Sequence, residues 1–132
     1  VKRQMAEFEN FRKRTDKEKT AMLETGAKSV IEKILPVVDN FERGLAGLSE
    51  EDRKQPFAEG MAMVYKQLMT ELDKLEVKPI EAVGCEFDPN LHNAVMQVES
   101  DEYESGIIAQ ELQKGYTYRD TVVRHSMVAV VQ

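Results

Sequence analysis

Cysteine occurs once, at Cys85, and tryptophan not at all. A lone thiol excludes an internal disulfide and fits the reducing cytoplasm. No apolar run is long enough to span a bilayer, and no signal peptide is evident. Positive charge is also in short supply. The formal net charge is −6, which argues against general binding to nucleic acid or anionic membrane. No glycine-rich loop of the Walker or dinucleotide type is present. Cys85, His92 and His125 are scattered and lack the fourth ligand of a zinc site. A Cys–His nucleophile pair would need an orienting third group. These three read as a half-buried loop cysteine and two histidines with structural hydrogen bonds, so no metal and no cofactor is expected. The many carboxylates alternate with Lys and Arg, the pattern of solvated helix faces. Paired acids for hydrolysis would need a pocket that this architecture does not offer. The chain opens with Val1 inside a helical pattern, which suggests that the natural N-terminus lies upstream.

What is present divides at Val77. Charged residues make up 32% and hydrophobic ones 42%, a balance that favours exposed helices. Residues 1–24 hold no proline or glycine and are rich in helix formers. Met5, Phe8, Thr15 and Met22 follow a spacing near 3.5, with Arg12 and Lys19 in the same stripe. About 36 Å of helix with so thin a seam is unstable alone in water. The better reading is a helix loosely paired with its copy, since Met5, Phe8 and Phe11 need cover. Thr25-Gly26-Ala27 predicts an irregularity, and a first unit is placed at 1–27. From Lys28 the pattern resumes through Val30, Ile31, Ile34, Leu35, Val38, Phe41 and Leu45. Pro36 predicts a kink or a helix start. Gly44 and Gly47 mark the end. Ser49 is the expected N-cap of a further helix, with Asp52 three residues on. Its apolar face is Phe57, Met61, Val64, Tyr65, Leu68, Leu72 and Leu75, and it runs to about Glu76.

A hairpin of two helices cannot bury such broad stripes alone. The economical solution for 28–76 is two hairpins in a four-helix bundle, hence a symmetric homodimer. Its interface would take Ile34, Val38, Phe41, Val64 and Leu68, with Met5 and Phe8 on the long helix. The alternative, a β module folded back over the hairpin, leaves the long first helix without a partner. Met61, Met63 and Met69 read as core and not as an adaptable groove. Arg12-Lys13-Arg14 is a basic cluster, either a solvated face or a docking patch for an acidic surface.

After Val77 the texture is that of short strands. Pro79 keeps the first at an edge. Asp88-Pro89-Asn90 is turn chemistry. Ala94 to Val98 and Gly106 to Leu112 are strands, joined by an acidic loop. Gly115 to Val131 crosses a charged turn at Arg119-Asp120 and ends in a β-branched run. Val122, Ser126, Val128 and Val130 fall on one face of this run; Val123, His125, Met127, Ala129 and Val131 fall on the other. Both faces are apolar, so the run belongs at the centre of a small β head, 77–132. The fold class is α+β: long helix, helical hairpin, C-terminal β domain.

Two segments carry a resemblance. Phe87-Asp88-Pro89-Asn90-Leu91-His92-Asn93-Ala94-Val95 is followed about twenty residues later by Gly115-Tyr116-Thr117-Tyr118-Arg119-Asp120-Thr121-Val122-Val123-Arg124-His125-Ser126-Met127-Val128-Ala129-Val130. Together they resemble the signature of GrpE, the nucleotide exchange factor of the DnaK chaperone. Phe8-Glu9-Asn10-Phe11-Arg12-Lys13-Arg14-Thr15 and Leu35-Pro36-Val37-Val38-Asp39-Asn40-Phe41-Glu42-Arg43 resemble the helical half of that family. The resemblance implies a homodimer whose β domain wedges into the DnaK ATPase domain, opens its cleft and lets ADP leave. It implies an apolar contact patch of Phe87, Pro89, Leu112 and Val130. Polar contacts would come from Arg12, Lys13 and Arg43 on the helices and from the neighbourhood of Thr121 in the final strand. Gly60 matches a position near the junction of bundle and head, and because glycine is otherwise costly inside a helix, a close approach is expected there. Taken singly, Phe87 and Val130 could equally be ordinary head core. The function expected is therefore a co-chaperone and not an enzyme, with a heat-labile first helix. The rival readings are a dimeric helical holdase and a small hydrolase using Cys85 and the histidines.

Overall fold

The computed structural model describes residues 1–132. Helix α1 runs from Lys2 to Ala46 without interruption, about 68 Å at 1.5 Å per residue. The irregularity expected at Thr25–Ala27 is absent. One glycine costs a helix about 1 kcal/mol, and long runs of helix formers flank Gly26 on both sides. Pro36 neither starts nor breaks the helix. It lies on the exposed side, as does Glu32, whose carbonyl it cannot bond, so water can take the missing donor's place. Gly47 caps the C-terminus, its N–H bonding to the Arg43 carbonyl.

Ser49 caps the next helix as its sequence predicts, its Oγ accepting the Asp52 N–H at 3.1 Å. The single helix expected from there to Glu76 is instead two. α2 spans only Glu50–Arg53, and α3 spans Pro56–Lys74. Pro56 is the cause. It has no N–H to continue α2 and it holds Gln55 extended, with φ −66° and ψ 141°. Met61 and Met69 are half-buried, but Met63 points to solvent, against expectation.

The head holds β1 (Val77–Pro79), β2 (His92–Val98), β3 (Ile108–Gln113), β4 (Tyr116–Tyr118), β5 (Thr121–Arg124) and β6 (Ser126–Val131). They form two three-stranded sheets, ordered β1-β4-β5 and β2-β6-β3. Pro79 sits on an edge strand, as expected. Arg119 and Asp120 make the two-residue turn between β4 and β5, both with positive φ (47° and 66°), the twist a tight hairpin needs. β6 is central, parallel to β2 and antiparallel to β3.

The run Val122–Val131 is not one strand. It breaks at His125 and passes from one sheet to the other, so the face assignment made across it fails. The break sits where two backbones cross. A Cβ on Gly115 would lie 2.4 Å from the Ser126 nitrogen and 2.5 Å from the Arg124 oxygen. Only glycine permits that approach. Gly115 N–H donates to Ser126 Oγ at 3.0 Å, and Ile80 N–H to the Gly115 carbonyl at 2.9 Å.

The main core joins head to helices. Ile31, Leu35 and Val38 of α1 and Leu72 of α3 pack against Val77, Tyr116 and Val123 of the first sheet. The head thus covers the stripe of the hairpin nearest β1, while the stripe around Phe41 and Phe57 stays uncovered. Ile31, Leu35 and Val38 recur at steps of four and three, and the inner face of β1-β4-β5 matches that stripe. A smaller core of Ala82, Ile108 and Val128 joins β3 and β6 to the connection after β1, with Phe87 and Val130 against it.

Candidate partner-binding surface

Polar ties set the head's angle on the helix. Arg124 ends β5, and its two Nη groups donate to both Asp39 oxygens at 2.7 and 2.8 Å. Its Nε donates to the Lys114 carbonyl at 2.9 Å, and its guanidinium lies 5.7 Å from the Tyr116 ring centre. Such a fork is geometrically specific as well as strong. Lys114 Nζ reaches Glu42 at 3.3 Å, and Tyr65 OH donates to the same carboxylate. Burial, then the Glu42 carboxylate, raises the Tyr65 phenol above its usual range. Tyr116 is raised by burial first and by Glu42 and Asp39 after it, and its hydroxyl has no partner in the chain. At the other end, Arg119 bonds Glu76 at 2.8 Å and approaches Glu24 at 3.5 Å. The Glu76 bond, first, raises its guanidinium further. Glu24 and Asp39 are about 22 Å apart along α1, so the head is pinned at both ends of its footprint.

The residues expected to meet a partner fall into separate places. Phe87 and Val130 are half-buried and both pack against one core, each keeping part of its surface open. Pro89 is exposed two residues beyond Phe87, and Leu112 is exposed on β3. Thr121 lies in the other sheet, at the start of β5 and not in the final strand. Arg12 and Lys13 are exposed on α1, about 18 Å beyond the Glu24 tie. Arg43 is exposed and bonds Asn40 Oδ1.

Of the side chains assigned to a dimer interface, Met5, Phe8 and Val64 are exposed, and Phe41 is half-buried. Ile34 and Leu68 border the intramolecular core, and Val38 is wholly covered by it. Val38 is thus not available to a second copy, because the chain's own sheet has taken it. Gly60 lies near the start of α3, at the opposite end from β1, and a Cβ there would meet nothing within 4 Å. The close approach inferred for it is absent within the chain.

His92 has both nitrogens engaged. Nδ1 accepts the Asp88 N–H at 3.0 Å, which leaves Nε2 to donate to the Glu81 carbonyl at 2.7 Å. It holds the Asp88-Pro89-Asn90 turn, where Asn90 N–H also donates to Asp88 Oδ1 at 2.9 Å. His125, by contrast, is exposed at the strand break. Periodicity assigns Tyr65 only a place on an apolar helix face and gives Asp39, Glu42 and Arg124 no role in the joint. The available signal was Arg124 itself, a charge inside a valine-rich strand that demands a partner.

The sequence model of the GrpE family matches residues 1–132. Protein GrpE of Lachnoclostridium phytofermentans is 64% identical over 129 residues, covering 98% of this chain and 58% of its own. Protein GrpE of Bacillus pumilus is 46% identical over 132 residues, covering 100% of this chain and 71% of its own. Protein GrpE of Parageobacillus thermoglucosidasius is 48% identical over 127 residues, covering 96% and 57%. The chain thus spans somewhat more than half the length of the first and third of these relatives.

Proposed function

The chain belongs to the GrpE family, and from that premise we propose that it is a co-chaperone that binds the DnaK ATPase domain, opens its nucleotide cleft and speeds ADP release. The observation that carries this reading is the family match over every residue, including both head segments. The pinned head supports a lever. A rigid blade on a long handle can transmit a push only if the joint between them is stiff, and Arg124–Asp39 and the shared core stiffen it.

A binder without a catalytic group accelerates release only by preferring the open cleft. Linkage then requires ADP to weaken its binding by the factor by which it weakens ADP binding. The contacts proposed are Phe87, Pro89, Leu112, Val130 and Thr121 on the head, and Arg12, Lys13 and Arg43 on the helix. The working form is a homodimer. An open apolar groove supports this, lined by Val37, Phe41, Leu45, Leu48, Phe57 and Met61, with Phe57 78% exposed. Exposed Met5, Phe8 and Met22 extend the unpartnered surface along α1. Residues before Glu24 make no contact with the head's ties, which favours a first helix that melts early and lowers activity on heating. No helix is long and apolar enough to cross a membrane.

Stopped-flow release of labelled ADP from DnaK tests the proposal. Acceleration that saturates with added chain is expected. An unchanged nucleotide lifetime, with aggregation of an unfolded client suppressed in the absence of DnaK, would replace it with the holdase reading.

A further inference from the structure

The head uses its cations on one side only. Lys78, Lys114, Arg119 and Arg124 are the only Lys and Arg residues after Val77. All of them pair with carboxylates of the helical half or its exit: Asp73, Glu42, Glu76 with Glu24, and Asp39. From Pro79 to Gln113 there is no Lys or Arg. That stretch supplies β2, β3 and both connections that flank β2. Strand β2 is entered from Glu86 and Asp88 and exits into Glu99, Asp101, Glu102 and Glu104.

β2 is an edge strand, paired to β6 alone. The opposite edge, β3, is partly covered. Gly84 N–H donates to the Ile108 carbonyl and Ile108 N–H to the Cys85 carbonyl, both at 2.9 Å, and Glu86 bridges Ile107. Nothing covers β2 in this way. Val95 is 44% and Met96 52% exposed. The strand HNAVMQV carries no Lys, Asp, Glu or Pro, the residues that normally guard an open edge. Its one guard is the register shift between Ala94 and Met96.

We infer that the open edge of β2 docks an extended segment of a partner protein, apolar at its centre and basic at both ends, by strand addition. An added strand bonds the free backbone groups of the edge, and alternate side chains meet Val95 and Met96. The carboxylates at both ends of β2 select cationic flanks. A second copy is a poor occupant. Two β2 edges set parallel place like ends together. Set antiparallel, they place the Asp88 turn of one against the Glu99–Glu104 loop of the other. Both arrangements oppose negative charge to negative charge. The register shift limits pairing to short runs on either side of Val95, so the contact is transient and weakened by salt.

The test uses the full chain, labelled for amide NMR, and blocked seven-residue peptides of alternating Val and Thr. One peptide carries Lys at each end, one carries Glu, and one is the Lys form with the amides of its pairing edge N-methylated. The Lys-ended peptide should shift the amides of His92–Val98 and bind about tenfold more tightly than the Glu-ended one. N-methylation should abolish the shifts, and raising salt from about 50 to 300 mM should weaken binding several-fold. Met96→Lys should weaken binding at least about fivefold. Glu99→Lys with Glu102→Lys, off the strand, should erase the preference between the two end charges even if Met96→Lys fails to fold. Equal binding of all three peptides, no shift in His92–Val98, or shifts confined to the Phe41–Met61 groove would overturn the inference. So would broadening of the β2 amides with chain concentration alone, which would assign the edge to a second copy.

Discussion

Asp39→Ala should loosen the head from the helix without unfolding the head's outer sheet. Asp39 and Arg124 are 24% and 20% exposed, between a surface pair, worth about 0–1 kcal/mol, and a buried pair, whose breaking costs about 3–5 kcal/mol. The truncation leaves Arg124 half-covered beside Tyr116, with only the Lys114 carbonyl as partner. A cost of about 2 kcal/mol follows, or about thirtyfold in the equilibrium between docked and undocked head. Hydrogen exchange by NMR reads this directly, because undocking is a sub-global opening. Amides of β1, β4 and β5 and those near Ile31–Val38 should exchange about thirtyfold faster. Amides of β2, β3 and β6 should change by less than about threefold. A double-mutant cycle with Arg124→Ala should return a coupling of about 1–2 kcal/mol. A coupling near zero, or equal acceleration in both sheets, would show that the ion pair does not hold the joint.

Gly115→Ala forces a Cβ within 2.4 Å of backbone and should cost the head about 3 kcal/mol or its folding, read as a loss of its thermal transition. Leu35→Ala empties a fully buried site shared by helix and head; chemical denaturation should show about 3 kcal/mol of destabilisation. Glu111 has its carboxyl raised from 4.5, chiefly by burial. The native state then holds this proton more tightly than the unfolded chain, so the contribution is present below about pH 4.5 and lost as pH rises through the folded value. Glu111→Gln should flatten that part of the stability profile and raise stability at pH 7, and an unchanged profile would place the titration elsewhere. If the groove at Phe41–Met61 joins two copies, Phe57→Glu should shift sedimentation toward monomer at micromolar concentration while leaving head amides in place.

Much of this architecture can be read from residue order because its signals are local. The change at Val77, the Ser49 cap, the Pro79 edge and the Arg119-Asp120 turn each depend on a few neighbouring residues. The failures have two origins. Some are local signals overruled: Gly26 and Pro36 are breakers by propensity, but strong flanking helix absorbs one, and exposure to water offsets the other. The rest are contacts distant in sequence. That Ile31, Leu35 and Val38 face the chain's own sheet, and not a second copy, depends on Tyr116 and Val123 arriving from some eighty residues away. Periodicity identifies a stripe that needs cover but carries no information about what covers it. The same limit applies to the site. The motif segments mark Phe87 and Val130, but nothing in one dimension reveals that Thr121 lies in the other sheet.

The break at His125 has a mechanical consequence. The chain passes between the sheets along Ile80–Leu91, again at Lys114–Gly115, and again at His125. The last two crossings are stacked backbone on backbone at Gly115 and tied by the Ser126 hydroxyl. One sheet cannot swivel on the other without parting those contacts. The joint between head and α1 is different in kind. It consists of side chains alone, an apolar stripe flanked by Arg124–Asp39 and Arg119–Glu24, and side chains can part and re-form without breaking a crossing. Any change in the angle of the head should therefore occur at that joint, with both sheets moving as one body. If a probe on β2 and a probe on β5 were found to move relative to each other while the Asp39 joint stayed closed, this division of stiffness would be wrong.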